Sequence, residues 1–198
     1  MYNINIKLQR SDIMDEKWRQ LEKKCNECNL CELHKTKTNT VFGTGNRSAT
    51  LMFVGEAPGE KEDLTGIPFV GAAGMLFDKY LSAVGIERED VYIANILKCR
   101  PPHNRDPQPH EEDSCMEHLR EQIRLINPRI IVCLGRISAQ RLIKPDFKIT
   151  KEHGVFFKKG NFNICAVYHP SALLRDFSKR EDMLRDMLEI KKRLDLSR

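Results

Sequence analysis

Four cysteines in two separated pairs are the residues of this chain best suited to chemistry. Cys25 and Cys28 form a C-x2-C pair, and Cys99 and Cys115 follow about seventy residues later. Four thiolates can close an all-cysteine metal site that holds either zinc or an iron–sulfur cluster. Cys31 extends the first pair and could replace one of the four, although we expect it to lie beside the site without binding. The spacing predicts a metal site that ties the N-terminal segment to a later loop.

A second group of polar residues follows the apolar runs that we interpret as strands. The segments are Gly-Glu-Ala-Pro-Gly-Glu at 55–60, Asn95 with the Pro-rich loop at 98–110, and Tyr-His-Pro-Ser at 168–171. In α/β folds, ligands bind outside the carboxyl ends of the strands. We therefore expect the polar side chains of these three segments to converge on one cleft.

Each of these side chains has a purely structural interpretation as well as a functional one. The turn around Glu56 could be a tight connection, or its backbone N–H groups could bind a planar or anionic ligand with Glu56 and Glu62 nearby. Phe69 could belong to the core or could stack on a base. Asn95 lies in an apolar run, where its amide must be paired; it could tie down the strand end or bind the edge of a pyrimidine. His169 is ambiguous on its own.

The remaining cysteines and histidines carry weaker signals. Cys133 and Cys165 lie in apolar strands, and we predict that they are buried small hydrophobic residues. The other histidines form no pair with metal-ligand spacing and are predicted to lie on the surface: His34, His103, His110, His118 and His153.

Composition narrows the class of protein. The 198 residues are 40% hydrophobic and 31% charged, which is typical of one globular domain. No apolar run approaches the length of a membrane span, and the N-terminus has no signal-peptide hydrophobic region. Seven cysteines in a chain without such a signal favour metal ligands or free thiols over disulfides. We therefore expect a cytoplasmic protein. We also expect a monomer, because no long apolar helical face is left over for a dimer.

Short apolar runs alternate with helical patterns along the chain. We predict strands at 51–55, 91–97 and 129–135, a hairpin at 155–158 and 163–167, and helices at 12–24, 71–84, 109–126, 137–143 and 180–194. This alternation indicates a three-layer α/β/α fold around a largely parallel sheet.

Taken together, these segments resemble the family 4 uracil-DNA glycosylases, the iron–sulfur type of that superfamily. The matching stretches are GEAPGE at 55–60, GIPFVG at 66–71, NILKCRPP at 95–102 and HPS at 169–171. Four motifs in this order, together with both cysteine pairs, are highly specific, and the similarity runs from about Cys25 to the last helix. The resemblance implies a central four-stranded parallel sheet between helices, within one domain over 1–198.

The resemblance also implies a cofactor and a reaction. The cofactor is a structural 4Fe-4S cluster on Cys25, Cys28, Cys99 and Cys115, with a cluster-binding segment at about 12–34. The reaction is hydrolysis of the N-glycosidic bond of deoxyuridine in single- or double-stranded DNA. It releases uracil and leaves an abasic site for other enzymes of base excision repair.

By the same resemblance, Phe69 stacks on the extruded uracil and Asn95 binds the pyrimidine edge, discriminating against cytosine. The backbone around Glu56 and Ala57 contacts the base carbonyls, and His169 donates to uracil O2.

The group that activates water is left open by this sequence. Ala57 occupies the position where relatives in the superfamily place a water-activating Asp. Glu56, Glu62 and Asn104 are the remaining candidates, the last two at positions that the resemblance implicates.

DNA binding is expected from two basic places. One is the Pro-rich loop with Lys98, Arg100 and Arg105, and the other is the segment 171–175 with Ser171 and Arg175. We predict that Leu173 or Leu174 wedges into the duplex while Arg175 meets a phosphate, unless both leucines belong to the core.

Two other classes of protein are open at this point. One is a non-catalytic nucleic-acid-binding module with a four-cysteine zinc site, and the other is an iron–sulfur protein that transfers electrons. Neither explains the four motifs of the predicted cleft.

Overall fold

The computed structural model describes residues 2–196, with side chains from residue 12 onward. The helices are α1 (Tyr2–Asn26), α2 (Glu60–Thr65), α3 (Ala72–Ala83), α4 (Pro109–Ile126), α5 (Arg136–Leu142), α6 (Ile149–Glu152), α7 (Pro170–Arg175) and α8 (Arg180–Leu196). The strands are β1 (Thr44–Gly45), β2 (Leu51–Gly55), β3 (Tyr92–Asn95), β4 (Ile130–Leu134), β5 (Phe157–Lys159) and β6 (Phe162–Val167). Within the described residues, every helix is too short or too polar to cross a lipid bilayer.

One sheet with the strand order β1-β3-β2-β4-β6-β5 forms the middle of the molecule. The four inner strands are parallel, which confirms the predicted central sheet. Two short antiparallel strands, β1 and β5, extend it to six, and β5 with β6 is the predicted hairpin. The register places Gly55 beside Asn95, so the ends of β2 and β3 are level.

Helices cover both faces of the sheet and bury its strands completely. Alternate residues of β2 point to opposite faces: Met52 and Val54 pack in the cluster beneath α1 and α4, whereas Leu51 and Phe53 pack in the cluster beneath α3 and α8. A parallel sheet covered on both faces explains why its strands are continuous apolar runs instead of alternating ones. The predicted three-layer architecture is confirmed.

Several element boundaries differ from the predicted ones. Helix α1 is longer than the predicted 12–24, and β3 is shorter than the predicted 91–97 because the chain leaves the sheet at Asn95. Helices α2, α6 and α7 were not predicted, since four to six residues are too few to show a helical period. Helix α4 has the predicted bounds.

Candidate active site and cysteine cavity

A cleft of about 220 Å³ opens at the carboxyl ends of the parallel strands. A cavity of about 150 Å³ already accommodates one benzene ring, so this cleft has room for a single base. The three predicted segments do converge here. The cleft is lined by Glu56, Ala57, Pro58, Gly59, Glu62, Phe69, Ala73, Asn95, Pro101, Asn104, Arg105, His169 and Ser171.

Asn95 presents a buried acceptor to this cleft. The residue is 1% exposed, and its Oδ1 has no hydrogen-bond partner within the described part of the chain. A Cβ added at Gly55 would lie 2.3 Å from that Oδ1 and 2.7 Å from the Phe69 ring. Glycine at the end of β2 therefore makes room for both side chains. A buried acceptor left unpaired costs about 1–3 kcal/mol, so this oxygen needs a partner that the described residues do not supply.

Phe69 forms an aromatic wall of the cleft. It is 6% exposed, and its ring centroid lies 5.7 Å from that of His169, with the planes inclined by 37°. Its backbone has a φ of 55°, in the left-handed region that residues with a Cβ seldom adopt. A Cβ at Gly74 would lie 1.9 Å from the Phe69 carbonyl oxygen, so the first turn of α3 holds the loop in this conformation.

His169 is held as a neutral donor at the start of α7. Its Nδ1 accepts the backbone N–H of Ser171 at 3.2 Å and lies 2.7 Å from the Ser171 hydroxyl oxygen. A ring nitrogen that accepts an amide N–H carries no proton, so the ring proton is on Nε2. Burial, reinforced by the charge of Arg175, lowers the pKa of His169 to about 4. The imidazole can therefore donate without carrying a positive charge.

Glu62 ties two motif loops together. Its carboxylate accepts the backbone N–H of Gly59 at 3.1 Å, of Val70 at 2.9 Å and of Gly71 at 2.8 Å. Three charge-assisted hydrogen bonds fix the turn after β2 against the loop that carries the aromatic wall. This carboxylate is occupied by the backbone, which leaves it poorly placed to take a proton from water.

Glu56 and Asn104 are the other two candidates for activating water. Burial raises the pKa of Glu56 to about 7, helped by the charges of Asp106 and Glu112 and opposed by Arg136. The Asn104 Oδ1 accepts the Arg100 Nε–H at 2.8 Å. Glu56 lines the cleft, and burial gives its carboxyl group a proton affinity suited to neutral pH.

Two expected DNA contacts are corrected by the structure. Lys98 is 1% exposed, so it cannot reach a phosphate. Leu173 is fully buried in the core, whereas Leu174 is 40% exposed. Sequence alone could not separate these neighbours, because both leucines follow the same His-Pro-Ser motif. Of the two leucines, Leu174 is therefore the one predicted to insert into the duplex.

The other side chains expected to contact DNA differ in their exposure and in the protein groups that they already bind. Arg105 lines the cleft and forms a bidentate pair with the buried Glu111, at 2.6 and 2.9 Å. Arg100 bonds Asn104, as described above, and Ser171 orients His169. Arg175 is exposed beside Leu174. The basic side chains thus surround the cleft, with Arg175 the most accessible.

A second cavity, the cysteine cavity, lies between the N-terminal segment, the 97–99 segment and α4. The four predicted ligands Cys25, Cys28, Cys99 and Cys115 line it together, and so does Cys31. Burial raises the pKa of Cys25 and Cys99 to about 12. In the described part of the chain, no group of three or more His, Cys, Asp or Glu surrounds a point where one metal ion could sit.

His118 was missed by sequence reasoning, which predicted a surface residue. It is 2% exposed, it lines the cysteine cavity, and both ring nitrogens lack a partner among the described residues. The available signal was its position three residues after Cys115, which places both side chains on one face of α4. Five thiols and an unpaired imidazole around one cavity suit an occupant that accepts both thiolate ligands and hydrogen bonds.

Fold and cleft together define an α/β protein with a cleft at the carboxyl ends of its strands, lined by an aromatic wall, an amide and a neutral imidazole. The family model of the uracil DNA glycosylase superfamily matches residues 42–191, and the chain belongs to that superfamily. This match covers the whole sheet and every residue that lines the cleft.

Curated relatives narrow the family further. The type-4 uracil-DNA glycosylase of Archaeoglobus fulgidus is 47% identical over 171 residues, covering 82% of this chain and 86% of the relative. The type-4 enzyme of Thermotoga maritima is 43% identical over 175 residues, covering 86% and 91%. The type-4 enzyme of Pyrobaculum aerophilum is 39% identical over 176 residues, covering 85% and 90%. The predicted resemblance to the family 4 enzymes is confirmed.

The ends of the parallel strands and the loops after them carry the cleft, whereas the N-terminal segment and α4 carry most of the cysteine cavity. The two sites meet along the chain at residues 95–101. There Asn95 and Pro101 line the cleft, and Leu97, Lys98 and Cys99 line the cavity.

Proposed function

We propose that this chain removes uracil from DNA by hydrolysing the N-glycosidic bond of deoxyuridine in the cleft described above. It is a uracil-DNA glycosylase, a hydrolase of N-glycosyl bonds that serves base excision repair. The observation that carries the assignment to this cleft is the buried, unpaired Oδ1 of Asn95 beside the Phe69 ring.

Base recognition follows from the chemistry of the amide. Uracil offers an N3–H donor beside its O4 acceptor, which the Oδ1 and Nδ2 of Asn95 can pair simultaneously. Cytosine offers an acceptor at N3, which would face the Asn95 oxygen and leave it unpaired. Phe69 supplies the stacking surface. The base must leave the helix to enter the cleft, and extrusion costs least where uracil is mispaired.

Bond cleavage leaves the bonding electron pair on uracil. As the C1′–N1 bond breaks, negative charge develops on uracil O2 and the sugar acquires oxocarbenium character. The Nε2–H of His169 donates to O2, and the backbone around Glu56 and Ala57 contacts the base carbonyls. A neutral donor stabilises the developing anion most in the transition state and does not bind the substrate as a charge would.

Water completes the hydrolysis. We assign Glu56 as the general base: it takes a proton from water while the hydroxyl oxygen bonds C1′. A base with a pKa near 7 is half ionised at neutral pH, which suits proton transfer there. Asn104 can orient the same water with its amide, whereas Glu62 acts on the reaction by holding the loops.

DNA is held around the mouth of the cleft. Arg175 and Arg100 would meet phosphates, Ser171 would contact the backbone beside the flipped nucleotide, and Leu174 would fill the space that the base leaves. Arg105 contributes less charge, because Glu111 neutralises it.

The cysteine cavity suits a 4Fe-4S cluster held by Cys25, Cys28, Cys99 and Cys115. Two thiol pairs from separate segments surround this cavity, which is the ligand chemistry that iron–sulfur clusters use. When bound, the cluster would join α1, α4 and the 95–99 segment as a structural element. The unpaired His118 supports a polar occupant. We further propose a cytoplasmic monomer that hands abasic sites to other repair enzymes.

A single-turnover assay tests this function. A uracil-containing oligonucleotide is incubated with excess enzyme, and alkali then cleaves the abasic sites; a thymine oligonucleotide serves as the substrate control. Asn95→Ala should lower the rate about 10²–10³-fold, the loss typical of one transition-state donor or acceptor. Asn161→Ala, in the exposed turn between β5 and β6, is the matched control and should leave the rate unchanged.

Equal rates for wild type and Asn95→Ala would refute the assignment of the cleft. A brown, cluster-loaded protein that releases no uracil would instead favour an iron–sulfur protein that binds DNA or transfers electrons.

A further inference from the structure

Lys98 is a buried cation in the segment that joins the two sites. Its Nζ donates to the backbone carbonyl of Asn95 at 2.8 Å and to the Gln122 Oε1 at 2.7 Å. The residue is 1% exposed, so these bonds replace its hydration. The ammonium therefore bonds the very peptide whose side chain presents the unpaired acceptor to the cleft.

Gln122 holds the ammonium in place. Its Nε2 donates to the Phe42 carbonyl at 2.8 Å and to the Tyr92 hydroxyl at 3.1 Å, so the side-chain amide has a single orientation with Oε1 toward the lysine. The Lys98 Nζ is consequently held by Gln122 of α4, which is itself held by Phe42 and by Tyr92 of β3. A fixed donor fixes the carbonyl that it binds.

Lys98 also borders the cysteine cavity. It lines that cavity together with Cys25, Cys99 and Cys115. Its backbone N–H also donates to the Cys115 Sγ at 3.3 Å. The same residue thus contacts both sites.

We propose that Lys98 is a positioning residue: its Nζ, held between Gln122 and the Asn95 carbonyl, orients the Asn95 peptide and through it the amide that binds uracil. The inference deepens the proposed function and rests on it. Lys98 touches neither the base nor the water, so it acts only through Asn95.

The test substitutes Lys98→Met, which keeps the volume of the side chain and removes the ammonium. Lys37→Met is the matched control, because Lys37 is also a cation near Cys99 but bonds the Asn26 carbonyl and Thr40 instead of Asn95. Three quantities are measured for each: binding of free uracil by calorimetry, binding of DNA with an abasic site, and the single-turnover rate. Visible absorbance reports cluster content.

We expect Lys98→Met to weaken uracil binding about tenfold and to slow excision by a similar factor, with abasic-DNA binding unchanged within about twofold. Lys37→Met should leave all three unchanged. In an Asn95→Ala background, Lys98→Met should have almost no further effect on the rate, because residues that act through one another are not additive.

Unaltered uracil binding in a folded Lys98→Met variant, or additive losses in the double variant, would overturn the inference. If Lys98→Met does not fold, Gln122→Met removes one of the two acceptors and should weaken uracil binding about threefold in the same pattern; no change in that variant would be equally decisive against it. A wild type that binds uracil but leaves no abasic sites would refute the proposed function alone. A wild type that neither binds nor releases uracil would refute both.

Discussion

The pH dependence of uracil release is the sharpest consequence of the site geometry. Burial raises the pKa of Glu56 to about 7, and a general base works only when ionised. The rate constant of the chemical step should therefore increase with pH and level off above the pKa. Because the pKa of His169 is lowered to about 4, the imidazole stays neutral from pH 5 upward and adds no second limb.

The magnitude follows from the titration. With a pKa near 7, about a tenth of Glu56 is ionised at pH 6 and about nine tenths at pH 8, so the rate should rise about tenfold across that interval. Glu56→Gln removes the base and should lower the plateau about 10²–10⁴-fold, leaving a flat profile.

Two further variants move the midpoint in opposite directions. Asp106 raises the pKa of Glu56 and Arg136 lowers it, and the two side chains pair with each other at 2.9 Å. Asp106→Asn should shift the midpoint to lower pH and Arg136→Gln to higher pH, each by roughly a few tenths of a unit at low salt, because both charges are largely exposed.

The assay is single-turnover excision at saturating enzyme between pH 5.5 and 9, so that product release and DNA binding do not mask chemistry. A profile that is flat in the wild type would refute the reasoning, as would a rising limb that survives in Glu56→Gln. Either result would transfer the role of the base to another group in the cleft.

Three other predictions concern the loops that hold the cleft and the residue expected to bind DNA beside it. Glu62→Gln keeps the shape but removes the charge that three backbone N–H groups share, so the free energy of unfolding should fall by about 1.5–3 kcal/mol in thermal or denaturant melts, and excision should slow with it. Gly74→Ala places a Cβ 1.9 Å from the Phe69 carbonyl oxygen, so it should lower both stability and excision. Ala72→Gly, at an exposed position of the same helical turn that does not line the cleft, should not reproduce the loss of excision. Arg175→Ala should weaken DNA binding and reduce the salt slope of log K by about one unit in titrations at several salt concentrations; an unchanged slope would remove Arg175 from the contacts.

The fold was largely predictable because its signals are local. The apolar runs at 51–55 and 129–135 are long enough to mark buried strands, and α4 carries Pro109 at its start and Asn127 in the left-handed conformation at its end. The edge strands and the helices of four to six residues were not predictable, because tertiary packing rather than a repeating pattern determines such short elements.

The contents of the cleft were predictable, but the partners of its side chains were not. Strand order brings Glu56, Asn95 and His169 to one edge of the sheet, so their convergence followed from the fold class. Lys98, expected to contact DNA, and His118, expected on the surface because no histidine pair had metal-ligand spacing, are both buried. Burial of a lysine depends on acceptors from distant segments, here Gln122, and one sequence does not specify that pairing. The roles of the site residues stay predictions.

The 95–99 segment suggests a structural reason for the cysteine cavity to lie close to the cleft of a hydrolytic enzyme. Asn95 lines the cleft, whereas Lys98 and Cys99 line the cysteine cavity, all within five residues. A group bound by Cys99 and by the N-terminal cysteines would therefore fix the chain just after the end of β3. Hydrolysis exchanges no electrons, so the contribution of such a group to uracil release is positional. It would restrict the peptide that orients the Asn95 amide.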